Sequence, residues 1–298
     1  MFSFYDLRSG LKCDKPQGLP LACALGSFDG VHLGHRAIIE RAAKSDLPVC
    51  VFTFENNPFG APLITTLEEK LRLFALCGAS FAAVFDFEKI RDIPAEDFAR
   101  EVISGEFSCK YAVCGFNYRF GKNAEGTPEL LSGVLEENGA SLIKLAPVTY
   151  AGKPISSSRI RACLASGDAE SAAAMLGRAF SLSLPIVHGN AIGRTLGFPT
   201  ANFDIPEGYL MPAPGVYITF CEHTPAVTNI GKRPTVETLG KTVCETHIIG
   251  ADSDLYGKTV TVEFYKRLRD EVKFASREEL SQRLDEDRKA SLEYFGNK

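Results

Sequence analysis

The chain has no excess of positive charge: 33 Lys and Arg stand against 37 Asp and Glu, a formal net charge of −4. Without a bulk positive field, nothing in the composition advertises a nucleic-acid partner. No apolar run approaches membrane-spanning length, and no basic segment followed by an apolar core opens the chain, so no membrane role is expected and the expected location is the cytoplasm. The nine cysteines include no C-x-x-C pair and no histidine-spaced set, which argues against a zinc site. Their odd number, and their place in apolar runs such as Leu21-Ala22-Cys23 and Val49-Cys50-Val51, argue for buried free thiols in a reducing compartment. Internal repeats and low-complexity tracts are also absent. What is present is 45% hydrophobic and 23% charged residues over 298 positions, the composition of a soluble globular protein with one large domain or two ordinary ones.

Two textures divide the chain. In the first half, short apolar runs (Leu19–Leu25, Pro48–Phe54, Ala82–Phe87, Tyr111–Gly115, Ser141–Leu145) alternate with helical patterns (Arg36–Ser45, Leu67–Cys77, Ala95–Ile103, Pro128–Asn138). Such alternation predicts a parallel α/β sheet with ligands at the C-terminal edge of its strands. From about Ser181, strands at Ser183–His188, Gly215–Cys221, Ala226–Gly231, Thr242–Ile249 and Lys258–Tyr265 are joined by Gly/Pro turns. One helix follows, from Ser276 to about Tyr294, with Ser276 and Glu279 in capping-box spacing. This half predicts a small antiparallel barrel. The boundary is placed near Gly177–Ser183, giving domains 1–180 and 181–298.

The most informative run is Gly26-Ser27-Phe28-Asp29-Gly30-Val31-His32-Leu33-Gly34-His35. It lies between the first buried strand and the first helix, so two of the five histidines stand three residues apart at a glycine-lined helix start. Unpaired N–H groups and the helix dipole suit that position to phosphate, and the i, i+3 spacing puts both imidazoles on one face.

The tetrapeptide His32-Leu33-Gly34-His35 resembles the H-x-G-H motif of the nucleotidyltransferase superfamily. The longer G-x-F-D-G-x-H-x-G-H form resembles its flavin-specific branch, the bacterial bifunctional riboflavin kinase/FAD synthetase family. That resemblance implies an α/β, Rossmann-like HxGH nucleotidyltransferase domain, with a nucleotide site that includes Gly26, Phe28, Asp29, Gly30 and catalytic His32 and His35. Thr53-Phe54-Glu55-Asn56-Asn57-Pro58 is similar to the family's T-F-x-P-H-P, with Asn56 and Asn57 in place of proline and histidine. Gly115-Phe116-Asn117-Tyr118-Arg119-Phe120-Gly121 resembles G-x-[DN]-F-x-F-G, which implies nucleotide or flavin contact by Asn117 and adds Arg119 to the site. Ile155-Ser156-Ser157-Ser158-Arg159-Ile160-Arg161 resembles I-S-S-T-x-I-R. By residue type, Ser156, Ser157 and Ser158 are either N-caps of a helix or, with Arg159 and Arg161, a clamp for the β- and γ-phosphates. Asp168 reads as the cap of the next helix.

In the second half, the run from Gly189 to Asn202 contains Gly189, Gly193, Arg194, Gly197, Pro199, Thr200 and Asn202. No Gly-Lys-Ser/Thr follows these glycines and no helix opens there, which excludes a Walker A loop and a Rossmann turn. The run resembles the riboflavin kinase pattern G-x-x-x-G-R-x-x-G-x-P-T-A-N. Thr200 and Asn202 share one side of an extended segment, and as hard oxygen donors they suit Mg²⁺ with substrate phosphates completing its shell. Gly231-Lys232-Arg233-Pro234-Thr235, Leu255-Tyr256-Gly257 and Leu268-Arg269-Asp270-Glu271 extend the resemblance. Riboflavin's 5′-hydroxyl is a neutral alcohol, so attack on a γ-phosphate calls for a carboxylate base; the resemblance places it at Glu245. Arg269 is expected to contact flavin, close a lid, or lie on the surface.

The implied chemistry is bifunctional. The kinase half makes FMN from riboflavin and ATP, and the transferase half passes AMP from ATP to FMN, giving FAD and pyrophosphate without a covalent intermediate. A phosphate monoester is mostly a dianion at neutral pH and needs charge shielding more than a base. Mg²⁺ is the expected cofactor. The expected partners are riboflavin, FMN and ATP, with the chain a monomer or weak homo-oligomer. The competing readings are a riboflavin kinase with an inactive or differently specific nucleotidyltransferase domain, and a flavin-binding sensor without turnover.

Overall fold

A computed structural model of the chain describes residues 2–58, 60–187, 200–203, 205, 208–232, 242–250, 257–272 and 274–296. Its contacts divide into two units, Met1–Ser157 and Ser158–Lys298.

The first unit is built on a seven-stranded sheet of order β2-β1-β5-β4-β3-β6-β7, with β1 at Phe2–Asp6, β2 at Leu11–Cys13, β3 at Leu21–Leu25, β4 at Val49–Phe54, β5 at Phe81–Phe85, β6 at Cys109–Gly115 and β7 at Ser141–Leu145. The five strands from β3 to β7 are parallel. The hairpin β1–β2, which the sequence pattern does not reveal, extends the sheet with antiparallel pairing onto β5. The sheet is therefore mixed rather than purely parallel.

Central β3 shows why the sheet is covered on both faces. Leu21, Cys23 and Leu25 enter one core with Phe52, Phe85 and Phe107, whereas Ala22 and Ala24 enter the other beneath α1 (Leu33–Ala42). The first core is closed by Phe98, Ala99, Val102 and Ile103, and by Leu131, Val134 and Leu135 of α5 (Pro128–Glu137). The second is closed by Ile38, Ile39 and Ala42 of α1 and by Leu73 and Phe74 of α2 (Leu67–Leu76). Each large side chain so buried contributes roughly 1.5–3 kcal/mol.

After the short α3 (Phe87–Ile90), the expected helix Ala95–Ile103 is a single α-turn, α4 (Ala95–Asp97), that widens into a π-helix over Phe98–Glu106. Its hydrogen bonds include Phe107 N–H to the Val102 carbonyl, five residues back, at 3.0 Å. The chain leaves β3 through α1 to β4 on one side and returns as β6 on the other. The C-terminal ends of β3 and β6 thus form a topological switch point, where open α/β sheets bind ligands.

After a small hairpin of β8 (Thr149–Tyr150) and β9 (Lys153–Pro154) in the first unit, the second unit takes up helix α6 (Ser157–Ser166) from its second residue, then α7 (Ala169–Leu176), a closed six-stranded barrel and a C-terminal helix. The first of these helices, α6, begins at Ser157, the last residue of the first unit. As expected, Asp168 caps the second, α7, accepting from Ser171 N–H at 2.9 Å. The barrel strands are β10 (Phe180–Val187), β11 (Thr200–Phe203), β12 (Gly215–Cys221), β13 (Thr224–Lys232), β14 (Thr242–Ile248) and β15 (Thr259–Arg269), all paired antiparallel. Period-two alternation sends Phe180, Leu182, Leu184 and Ile186 inward from β10, against Val260, Val262 and Phe264 of β15. Thr219, Thr228 and Thr246, all sealed in the interior, satisfy one another through two hydroxyl–hydroxyl bonds of 2.8 Å. β15 continues four residues past Tyr265, which brings Arg269 into the sheet.

The C-terminal helix α8 (Arg277–Gly296) is capped as its sequence predicts: Ser276 Oγ accepts from Glu279 N–H, and the Glu279 carboxylate accepts from Ala275 N–H. Its buried residues are polar. Ser291 Oγ donates to the Ala226 carbonyl at 3.0 Å, and Asp287 receives Arg269. Phe295 packs between Phe220 and Tyr265. Among the described residues no helix is long and apolar enough to cross a membrane.

Candidate active sites

The first site lies at the end of β3. Helix α1 starts at Leu33, three residues before the hydropathy pattern predicts, because His32 is its N-cap: His32 Nδ1 accepts from His35 N–H at 3.2 Å. Since Nδ1 accepts, a neutral His32 carries its proton on Nε2. The imidazoles of His32 and His35 stack with centroids 3.6 Å apart and planes at 15°. Gly34 lies close beneath them: a Cβ there would stand 3.2 Å from His32 Cε1, so the ring would have to give by a few tenths of an ångström. Gly30 adopts φ +87°, a conformation closed to most side chains. Two imidazolium ions at about 4 Å would repel by roughly 4 kcal/mol at a near-surface dielectric.

Burial is the main reason that the His35 pKa lies well below its usual value, followed by the charges of His32 and Lys70. His35 Nδ1 is shielded from solvent and meets no hydrogen-bond partner among the described residues. The free protein therefore presents a neutral His35 at pH 7. Its depressed pKa gives stability that is complete above about pH 6.5 and is lost as the pH falls toward the native value, because the unfolded chain binds that proton first. We expect the urea midpoint of the first unit to fall between about pH 7.5 and 5.5, and His35→Gln to shrink that fall. An equal fall in both proteins would contradict it.

The loop around the histidines is held from several sides. Asp29 is buried; its Oδ1 accepts from Ile64 N–H at 3.0 Å, and its carbonyl accepts from Ser157 Oγ at 2.8 Å. The Asp29 carboxylate thus shapes the loop, and Ser157 joins the serine-rich helix start to it. Gly30 N–H donates to Thr65 Oγ1, and Thr53 Oγ1 donates to the Ser27 carbonyl at 2.7 Å. Phe28 is fully buried at φ 54°, its ring edge-on to His35, and Gly26 leaves room for that ring.

Asn117 and Arg119 are exposed just beyond β6, on the other side of the switch point. Ser156, Ser158, Arg159 and Arg161 lie at the start of α6. Sequence reasoning missed Lys70: α2 buries it to 1% exposure, and its ammonium donates to the Phe54 carbonyl at the end of β4. A lysine inside an otherwise apolar helix face is the available signal.

The second site lies on the outside of the barrel. Inward positions on β11, β14 and β13 are Phe203, Cys244, Thr246, Thr228 and Ile230, all buried. The alternate positions carry Thr200, Asn202, Glu245, His247 and Asn229. Register places Asn202 opposite Glu245, and Glu245 opposite Asn229. Thr200 pairs with His247 one step along. The structure therefore brings the two expected metal ligands and the expected base into one patch. Asn202 Oδ1 is buried with no partner among the described residues, as suits a carbonyl that awaits a cation.

Gly189, Gly193, Arg194, Gly197 and Pro199 lie outside the described residues, as does His188. Arg269 is engaged elsewhere: Nε and Nη2 bond both Asp287 oxygens at 2.7–3.2 Å, and Nη1 donates to the Asp270 carbonyl. In this structure its guanidinium secures α8.

Residues 15–159 match the FAD synthetase family and residues 176–295 the riboflavin kinase family. The chain is 35% identical over 289 residues to the bifunctional riboflavin kinase/FMN adenylyltransferase of Escherichia coli (strain K12), covering 91% of this chain and 92% of that protein. It is 32% identical over 294 residues to the Bacillus subtilis (strain 168) protein of the same name, covering 92% of each. A crystal structure described as a macrolide-efflux protein from Streptococcus pneumoniae superposes with a TM-score of 0.84 at 30% identity, over 96% of both chains. With both families matched in order and near-full-length likeness to enzymes that combine them, this chain belongs to the bifunctional riboflavin kinase/FMN adenylyltransferase family and carries both its kinase and its FAD synthetase domain.

Proposed function

We propose that the barrel phosphorylates the riboflavin 5′-hydroxyl with Glu245 as general base, and that the switch-point site adenylylates the phosphate of the resulting FMN with His32 and His35 as hydrogen-bonding groups. The pairing of Glu245 with Asn202 on adjacent strands carries the kinase half of this reading. A general base lies one strand from a vacant carbonyl acceptor, so the alcohol and the phosphate-bearing nucleotide meet side by side. Glu245 takes the proton of the 5′-hydroxyl as its oxygen attacks the γ-phosphorus, and ADP leaves. Thr200 and Asn202 would hold Mg²⁺, whose charge would offset that of the phosphates.

In the transferase half, the FMN phosphate attacks the α-phosphorus of ATP and pyrophosphate leaves. No base is needed, because that acceptor is already largely ionised. His32 and His35 supply hydrogen bonds at the start of α1. Gly26, Phe28, Asp29 and Gly30 shape the turn, while Asn117, Arg119, Ser156, Ser157, Ser158, Arg159 and Arg161 contact the nucleotide or its phosphates. The functional division is 1–180 and 181–298; α6 then carries transferase residues although Ser158 onward packs in the second unit. Riboflavin, FMN and ATP are small molecules in solution, which fits a cytoplasmic enzyme; the reading takes it as a monomer or weak homo-oligomer.

Product analysis with riboflavin, ATP and Mg²⁺ tests the reading. The wild-type protein should yield FAD, ADP and pyrophosphate. His35→Ala should accumulate FMN, with the adenylylation rate lower by on the order of a hundredfold. Removing the divalent ion with EDTA should stop both steps, and added Mg²⁺ should restore them. Flavin bound without ADP release would overturn the proposal in favour of a sensor. FMN as the end product of the wild type would favour a kinase alone.

A further inference from the structure

The cross-strand row does not end at Glu245. Asn229 is its next member, on β13, and facing pairs on neighbouring strands stand about 4.8 Å apart. The Asn229 amide nitrogen donates to Glu271 Oε1 at 3.2 Å, which fixes the other end of the amide as the oxygen. That Oδ1 is shut from solvent and finds no donor among the described residues. Two residues along the same strand face, Gly231 lies against the Glu271 carboxylate, which a Cβ at that position would push aside. The Glu271 hydrogen bond thus orients the Asn229 amide, with its acceptor unfilled.

We propose that Asn229 is a substrate-specificity residue of the kinase: its Oδ1 accepts a hydrogen bond from a hydroxyl of the riboflavin side chain next to the reacting one. This rests on the assignment of Glu245 as base and Asn202 as metal ligand. In-line transfer puts the phosphoryl group on one side of the attacking oxygen and the rest of the alcohol on the other. With the phosphates over Asn202 and the 5′-hydroxyl at Glu245, the polyol chain leaves toward Asn229. Its 4′- and 3′-hydroxyls are the donors that an orphaned carbonyl needs. A buried acceptor left unfilled by a poorer substrate also discriminates strongly against it.

The test compares riboflavin with its 4′-deoxy and 3′-deoxy analogues in the full-length protein. Wild type should use at least one analogue about tenfold or more less efficiently in kcat/KM. Asn229→Ala should raise the riboflavin KM by a similar factor, erase the preference for riboflavin over that analogue, and leave the ATP KM unchanged. Glu271→Gln, which still accepts from the Asn229 amide, should retain the preference, whereas Glu271→Ala should weaken it. Equal use of both deoxy analogues by the wild type overturns the proposal without any variant being made. So does an ATP KM that moves in place of the riboflavin KM. Full kinase activity in Glu245→Gln would instead remove the base assignment beneath it, a separately readable failure.

Discussion

Replacing Glu245 by glutamine lowers the riboflavin kinase kcat by roughly 10²–10⁴-fold, the range for loss of a positioned general base, while FAD formation from supplied FMN continues at its full rate. Glutamine keeps the size and hydrogen-bonding reach of the side chain but cannot take a proton at neutral pH. The riboflavin KM should therefore move much less than kcat. The transferase step is spared because its acceptor is ionised before it arrives and because the residues proposed for it lie at positions 26–161. Steady-state assays with riboflavin or FMN as the starting flavin separate the two outcomes. A kcat within threefold of wild type would exclude Glu245 as the base.

Asp287→Ala destabilises the barrel unit by about 3–5 kcal/mol, the usual consequence of leaving a buried charge without its counterion. The side chains of Arg269 and Asp287 are 12% and 6% exposed, and their double contact joins β15 to α8, whose buried residues are otherwise few and polar. Against a total of about 5–15 kcal/mol for a typical domain, this loss is a large share. Urea unfolding followed by circular dichroism measures it; tryptophan fluorescence does not, as the chain has no tryptophan. Replacing both partners with apolar residues of similar size should recover much of the loss, since an ion pair and a well-packed apolar pair differ little in stability. A loss below about 1 kcal/mol, combined with a raised flavin KM, would return Arg269 to a ligand-binding role.

Much of the proposed transferase site was legible because its residues are local in sequence. The buried run Leu21–Leu25, the glycines and both histidines lie within fifteen residues, and one strand–helix turn assembles them. The true start of α1 was not legible. Histidine is an uncommon cap, and its Nδ1 contact becomes visible only when the imidazole folds back on its own helix. The π-helix was hidden because a widened turn preserves an apolar face while shifting its spacing.

The kinase site shows the complementary case. Thr200, Asn202 and Glu245 were reached through short patterns, but Asn229 acquires meaning only through a register that unites three strands. Arg269 was expected to meet flavin, close a lid or lie on the surface, yet its partner is Asp287, eighteen positions away on a helix, and no motif spans that gap.

The main-chain ladder of a closed barrel cannot stretch. A reactive row laid across its outer wall inherits its spacing from peptide geometry, with strands as the marks of a ruler. Residues inside, such as the threonine chain, can then be exchanged as a set for others of equal volume without moving base, ligand and alcohol apart. Variation among such enzymes should accumulate in the lumen more freely than along that single rung.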